Sequence, residues 1–347
     1  KGLVTPGLID SHTHLVHAGS REHELAMKLN GADYLEILKS DGGILNTVKK
    51  TRAASFEELY DQAWHSLERM LCYGVTCVEA KSGYGLELET EIKQLKVAKA
   101  LNENHPIEIV STFMGAHAIP EEFRNNRNGF IEEIKKMLHE VMKHNLTKYC
   151  DIFCEEGVFS LQEAYHILSY AKNLGFALKI HADEMTHLGG GSLAAELKAT
   201  SAEHLMNADE EDFKRMAENN ILCILLPLTS FYLNKPYANA RLMIKNNCGV
   251  AIATDYNPGS SPSENLNLAM QIAAIKLKMT PVEIINAVTL NAAVGVGLAN
   301  KKGTIEVGKD ADLVIFDCPN LDYLFYHFGV NLVSKVFING KLCRGDS

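Results

Sequence analysis

A chain of 347 residues with a hydrophobic fraction of 46% can bury a large core, as one α/β domain or as a domain with a small appendage. Its 34 Lys and Arg against 43 Asp and Glu give a formal charge of −9, with no basic run or aromatic-interleaved basic stripe, which argues against nucleic acid or an anionic membrane as partner. The longest apolar run, Ile221–Leu226, ends at Pro227 and is too short to cross a bilayer, and the start of the chain lacks the regions of a signal peptide, so a cytoplasmic protein acting on a small molecule is expected.

The first element is the short apolar run in "PGLIDSHTHL". In an extended strand, residues i and i+2 face the same side, so His12 and His14 project together from its end. Alone, such a pair more often marks surface or satisfied polar groups than a metal site. "SDGGIL" reads as a loop, and "SFEELYDQAWHSLERML" as an amphipathic helix. Next come the strand "VTCVEAKS", the helix "LETEIKQLKVAKALNE" and the strand "IEIVSTFMGA", with His117 just beyond it. "YCDIFCEE" is a strand and "SLQEAYHILSYAKNLG" a helix; "ALKIHAD", "TSAEHL", "ILCILLPLT" and "VAIATD" are four further strands, carrying His181, His204 and Asp255 near their ends. "HLGGGSLAAEL" lacks the spacing of a phosphate-binding loop and reads as a flexible loop with Ser192 capping a helix. His17, His23 and His187 read as polar loop residues.

Eight apolar strands alternating with helices predict a parallel sheet covered by helices, closed as a (β/α)8 TIM-type barrel over residues 1–302. An open doubly wound sheet is the runner-up, although no strand leads into a G-x-G-x-x-G helix start. Residues 303–347 change character: "GTIEVGKDADLVIFD" and "VSKVFINGK" are short alternating strands with Gly and Asp turns and no helix between them, forming a small β appendage. The eight cysteines are dispersed through apolar segments without a C-x-x-C pair and read as reduced; Cys150 and Cys154 share a strand face and are assigned no chemistry.

In such a barrel the chemistry sits where the strands end at their C-termini. His12, His14, His117, His181, His204 and Asp255 all fall there. Each singly could cap a helix or bond a loop; the recurrence at one rim is poorly explained that way. His12, His14, His181 and Asp255 suit one divalent cation, zinc first and iron as the alternative, with a position open for water. Asp255 could touch the metal and take the water's proton, His204 would stand beside the attacking water, and Glu184 would serve as an acid or base reaching the substrate.

The ordered set of His-x-His, His181, His204 and Asp255 resembles the amidohydrolase superfamily. The strings "HAGSRE", "SGYG", "GAHAIP", "KIHADE", "AEHL" and "TDYNPGSSP" are similar to its branch that hydrolyses the cyclic amide of 4-imidazolone-5-propanoate to N-formimidoyl-L-glutamate in histidine degradation. The resemblance implies that Arg21, Tyr84, His117, Glu184, Asn257, Gly259 and Ser260 contact substrate, and that His12, His14, His181 and Asp255 hold zinc or iron. It further implies ring opening in which His117 stabilises the developing oxyanion and Glu184 protonates the departing nitrogen. Arg21 offers the planar cation that a propanoate needs. Read locally, however, Arg21 is a solvated charge beside Glu22 and Glu24, Tyr84 equally a loop hydroxyl that reaches a ligand or a surface turn residue, and "NPGSS" a turn and cap before a helix at Glu264. Members of the superfamily build a small β-sandwich from both chain ends; here the N-terminal part is absent, and the chain reads as a fragment. A heterocycle aminohydrolase, or deaminase, shares the metal set but has no evident need for Arg21 and "NPGSS"; a catalytically silent scaffold is the third reading. A homodimer is left open.

Overall fold

The computed structural model describes residues 2–31 and 42–345; Ser40 and Asp41 of the expected "SDGGIL" loop lie outside the described residues, and Gly42–Gly43 lead into a helix at Ile44–Ala53. Eight parallel strands follow one another round the sheet in chain order: β2 (Leu8–Asp10), β3 (Val75–Lys81), β4 (Glu108–Ala116), β5 (Tyr149–Cys154), β6 (Ala177–Ala182), β7 (Ser201–His204), β8 (Leu222–Leu225) and β9 (Val250–Ile252). Strand β3 is buried along its whole length, as befits a strand covered on both faces.

The covering helices form where sequence supplies both an apolar stripe and a start signal. Phe56–Cys72 turns Leu59, Ala63, Leu67, Met70 and Leu71 inward, and its first turn is closed by a reciprocal capping box between Ser55 and Glu58. Leu161–Asn173 repeats the device with Ser160 and Glu163. The principal apolar core lies between these helices and the strands.

The barrel closes where β9 returns to β2. The Asp255 N–H donates to the His12 carbonyl at 3.0 Å, and the His14 N–H to the Tyr256 carbonyl at 2.9 Å. The Asp10 carboxylate accepts from both the N–H and the hydroxyl of Thr254, at 3.0 and 2.6 Å. Candidate ligands from the two ends of the barrel thus sit side by side on one seam.

A second, antiparallel sheet runs β1–β10–β11–β12, with β1 at Leu3–Pro6, β10 at Leu313–Phe316, β11 at Val333–Ile338 and β12 at Lys341–Arg344. The start of the chain therefore does contribute a strand to the appendage, Leu3 pairing with Phe316 and Pro6 with Leu313. The tail also contains the helix Leu321–Tyr326 between β10 and β11, which its alternating pattern did not announce. All eight cysteines are free, and Cys150 and Cys154 are buried.

Candidate active site

The C-terminal strand ends gather the histidines expected there. The His12 ring centroid lies 4.7 Å from that of His181, 5.5 Å from that of His14 and 5.8 Å from that of His204. The Asp255 Oδ1 is 3.3 Å from Nε2 of His12 and 3.6 Å from Nε2 of His14, while its Oδ2 accepts the Thr229 hydroxyl at 2.6 Å. Two overlapping triads result, His12–His14–Asp255 and His12–His181–His204, the ligand atoms within each lying within 4.8 Å of one another. The second triad brings His204, expected beside the water, within ligand distance of His12 and His181.

Several observations fit a divalent cation among these groups. The Nε2 atoms of His12 and His181 turn into the cluster, that of His181 buried without a hydrogen-bond partner, a costly state for a lone pair that a metal would relieve. Their Nδ1 atoms face carboxylates instead. The His181 Nδ1 bonds Asp151 Oδ1 at 3.2 Å, and the His12 Nδ1 lies 2.7 Å from Glu203 Oε2, which directs each Nε2 to the cluster. Burial opposes a charge on His12, yet Glu203 prevails and pushes it up to about 9, so this spot favours a cation, whether proton or metal. Burial and its histidine neighbours hold His14 well below the usual range and keep its lone pair available. Burial also works against the Asp255 carboxylate, but the hydrogen bond and charge of His12, with His204 and Thr229, bring it down to about 2.

Backbone strain accumulates at the same rim. Asp183, His204, Leu205 and Asp255 adopt φ of 50°, 70°, 56° and 54°, values that L-residues rarely hold without compensating contacts. Asp183 shows where some of that compensation lies: Oδ1 accepts the N–H groups of Leu188, Gly189 and Gly190, and Oδ2 that of Gly191. This replaces the expected cap, for Ser192 instead donates to Asp212 at 2.6 Å and the helix Gly190–Leu197 starts from Gly189. Next to it, Glu184 presents its carboxyl to His204 Nε2 at 3.6 Å. Its backbone is fixed by Asn207, which donates to the Glu184 carbonyl at 2.8 Å, and by Glu155, which accepts the Met185 N–H at 2.8 Å. Burial, reinforced by the charges of Asp255 and Glu155, raises Glu184 to about 8.

His117 stacks on His14 with centroids 4.7 Å apart and planes inclined by 13°. Its Nδ1 lies 3.1 Å from the Gly83 carbonyl, which can only accept, so Nδ1 carries the proton. Burial lowers this ring to about 3 and keeps it neutral; Nε2 is then an acceptor, suited to a substrate N–H and not to the developing oxyanion expected from sequence. Gly83 (φ 109°) permits the approach, since a Cβ there would sit 2.8 Å from His117 Nδ1. Tyr84 is buried, not a surface turn residue, its ring 5.6 Å from His14 and 5.3 Å from His117. His17, expected in a polar loop, is buried too, with Nδ1 3.0 Å from the His14 carbonyl.

Arg21 is not a solvated loop charge. Its Nε and Nη2 grip Glu24 at 2.7 and 2.8 Å, and Glu24 also accepts the Gly43 N–H. The remaining Nη1 lies against Gly259, where a Cβ would come within 2.2 Å of it, so only glycine admits the guanidinium. Asn257 shapes that turn by accepting the N–H groups of Gly259 and Ser260 and donating to the Ser260 hydroxyl. The next helix starts at Leu266 with Asn265 as its cap, not at Glu264.

Sequence reading missed the charges beneath the cluster. Glu79, Lys81, Asp151, Lys179 and Glu203 are fully buried, with the Lys81 Nζ at 2.7 Å from Asp151, 2.9 Å from Glu203 and 3.0 Å from Glu79. Lys179 pairs with Glu79 at 2.7 Å. The signal was available: Glu79 and Lys81 recur at period two in an apolar strand, and Lys179 stands two before His181 on the same face.

The sequence pattern that defines the amidohydrolase family matches residues 3–343. Among curated proteins, the imidazolonepropionase of Alkaliphilus oremlandii is 58% identical over 341 residues, covering 98% of this chain and 81% of its own. That of Fusobacterium nucleatum is 56% identical over 340 residues, covering 98% and 82%. Among solved structures, an adenosine deaminase from Xanthomonas campestris with bound zinc superposes with a TM-score of 0.71 at 20% identity, over 98% of this chain and 80% of that one. A 5-methylcytosine deaminase from Klebsiella pneumoniae gives 0.76 at 14% identity, over 100% and 88%. At such identities the likeness is one of fold.

Proposed function

The chain belongs to the amidohydrolase family, and from that premise we propose that it is a metal-dependent hydrolase that opens the ring of 4-imidazolone-5-propanoate to N-formimidoyl-L-glutamate, the imidazolonepropionase reaction of histidine degradation. The observation that carries the choice of substrate is Arg21, held in one orientation by Glu24 with Nη1 turned to the Gly259 turn. Glu24 takes the Nε–Nη2 edge of this guanidinium and leaves its Nη1 donor for a substrate carboxylate, which a neutral heterocycle does not offer.

His12, His14, His181 and Asp255 would hold the ion, with zinc our assignment and iron the alternative that the donor set also accepts. When bound, it supplies Lewis acidity toward carbonyl and water. The protein's own groups do the rest. Arg21 binds the propanoate, with the turn formed by Asn257, Gly259 and Ser260 beside it, and Tyr84 packs its ring against His14 and His117. His117 accepts a ring N–H at Nε2. The Asp255 carboxylate, charged at neutral pH, takes a proton from the attacking water, and His204 orients that water. Glu184, protonated at pH 7, delivers a proton to the departing ring nitrogen as the C–N bond breaks. Water is thereby added across one amide bond.

No helix among the described residues is long and apolar enough to cross a membrane. We assign the enzyme to the cytoplasm, in keeping with its free cysteines. The test is an anaerobic assay of freshly generated imidazolone propanoate beside a panel of heterocyclic amines, with metal measured on the same preparation. Turnover of the first without ammonia from the panel is expected; ammonia release from the panel alone would sink the proposal in favour of deamination.

A further inference from the structure

Beneath the rim, three carboxylates from three different strands converge on one point inside the barrel: Glu79 on β3, Asp151 on β5 and Glu203 on β7. The point is filled by the ammonium of Lys81, which reaches one oxygen of each at 2.7–3.0 Å. Two of these acids also face the histidines above. Glu203 Oε2 is shared between Lys81 Nζ at 2.9 Å and His12 Nδ1 at 2.7 Å, and Asp151 Oδ2 between Lys81 Nζ at 2.7 Å and His181 Nδ1 at 3.1 Å. The same acids form two further groups with those histidines, His12–Glu79–Glu203 and Asp151–His181–Glu203, each with ligand atoms within 4.8 Å of one another.

We propose that Lys81 is a tethered cation with two roles toward the metal centre: it positions the carboxylates that orient His12 and His181, and it fills a second cation site so that the centre takes one metal ion. The inference rests on the assignment of His12 and His181 as metal-holding residues. Its physical basis is that buried carboxylates need a counter-charge within contact distance, and that three of them with imidazole nitrogens make a set able to accept a metal ion where an ammonium is missing. Lys179 does not substitute. Its ammonium is engaged with Glu79 Oε1 and the Tyr149 ring. Both ligand rings thus face carboxylates that the Lys81 ammonium holds in place.

The test counts and titrates metal on the full-length chain without reference to turnover. Wild type is expected to hold one manganese or zinc ion. In Lys81→Ala the tether is gone and the space opened, so two ions per chain are expected, and added manganese should raise the unfolding temperature more than in wild type. Lys81→Met/Glu79→Gln removes one charge of each sign and retains apolar volume, so the formal charge is unchanged and any loss of affinity is loss of positioning. There we expect no more than one ion, bound at least tenfold more weakly in chelator competition. A single ion in Lys81→Ala, or failure of that variant to fold even in excess manganese, overturns the filling role. Wild-type affinity in the double variant overturns the positioning role, and its failure to fold with or without metal does the same, because a mere change of position should leave the barrel intact. Absence of metal from wild type would instead remove the proposed function itself.

Discussion

In the proposed reaction Arg21 would meet the substrate in both its ground and transition states and Glu184 would act only as the C–N bond breaks, so kinetics can separate them. Arg21→Met should raise KM by an amount on the order of 2 kcal/mol, roughly thirtyfold, with little change in kcat. Arg21→Lys should not restore it, because a point charge cannot both grip Glu24 at two nitrogens and present a third beside the Gly259 turn. An unchanged KM in Arg21→Met would remove the carboxylate anchor while leaving the metal chemistry standing. Glu184→Gln should lower kcat by about 10²–10⁴ with a modest effect on KM. The sign of its pH dependence follows from the upward shift: burial holds the acid protonated at pH 7, and it is lost as pH rises through about 8. The kcat profile should therefore fall tenfold per pH unit above that point, and a rate still rising at pH 9 would remove Glu184 as the proton donor.

Among the elements, the loop from β6 into the helix Gly190–Leu197 depends on one buried carboxylate that accepts four backbone N–H groups. Asp183→Asn keeps the shape but loses the charge and half of the acceptor capacity, so unfolding in urea should reveal a loss of about 2 kcal/mol, with kcat falling because Glu184 is the next residue. No change in either would mean that the loop is held by its other contacts. This anchor was hidden in the sequence because Asp183 reads as one more polar residue after His181, and the glycines behind it as slack. Most barrel strands were legible because they are apolar runs between turn signals, and their end residues announced the rim. Leu321–Tyr326 was not, since six residues are too few to display a helical period. The interior charges were overlooked for a different reason. Beyond Glu79 on its own strand, Lys81 finds its partners 70 residues away in Asp151 and farther still in Glu203, and the buried pair makes sense only once those partners are seen.

For the whole molecule, the metal is expected to act as a staple as well as a reagent. The proposed ligands come from the segment after β2, from β6 and from the segment after β9, and two of these segments meet on the closing seam. Removal by chelator should lower the unfolding temperature, by the equivalent of about 2.7 kcal/mol for an ion present at a hundred times its Kd, and re-addition should restore it. Hydrogen exchange at the His14 and Asp255 amides should quicken more than at the Val75–Lys81 strand. Equal protection with and without metal would show that the seam stands without the ion.

The seam also sets a timetable. Asp10 and Thr254, which bond across it, are 244 residues apart in the chain. A ribosome releases His12 and His14 first and Asp255 only after nearly the entire barrel has been made, so no partial product can assemble the full set of proposed ligands. Competence for chemistry thus arrives together with completion of the ring, and a nascent chain stalled short of Asp255 would leave its histidines exposed as loose metal scavengers.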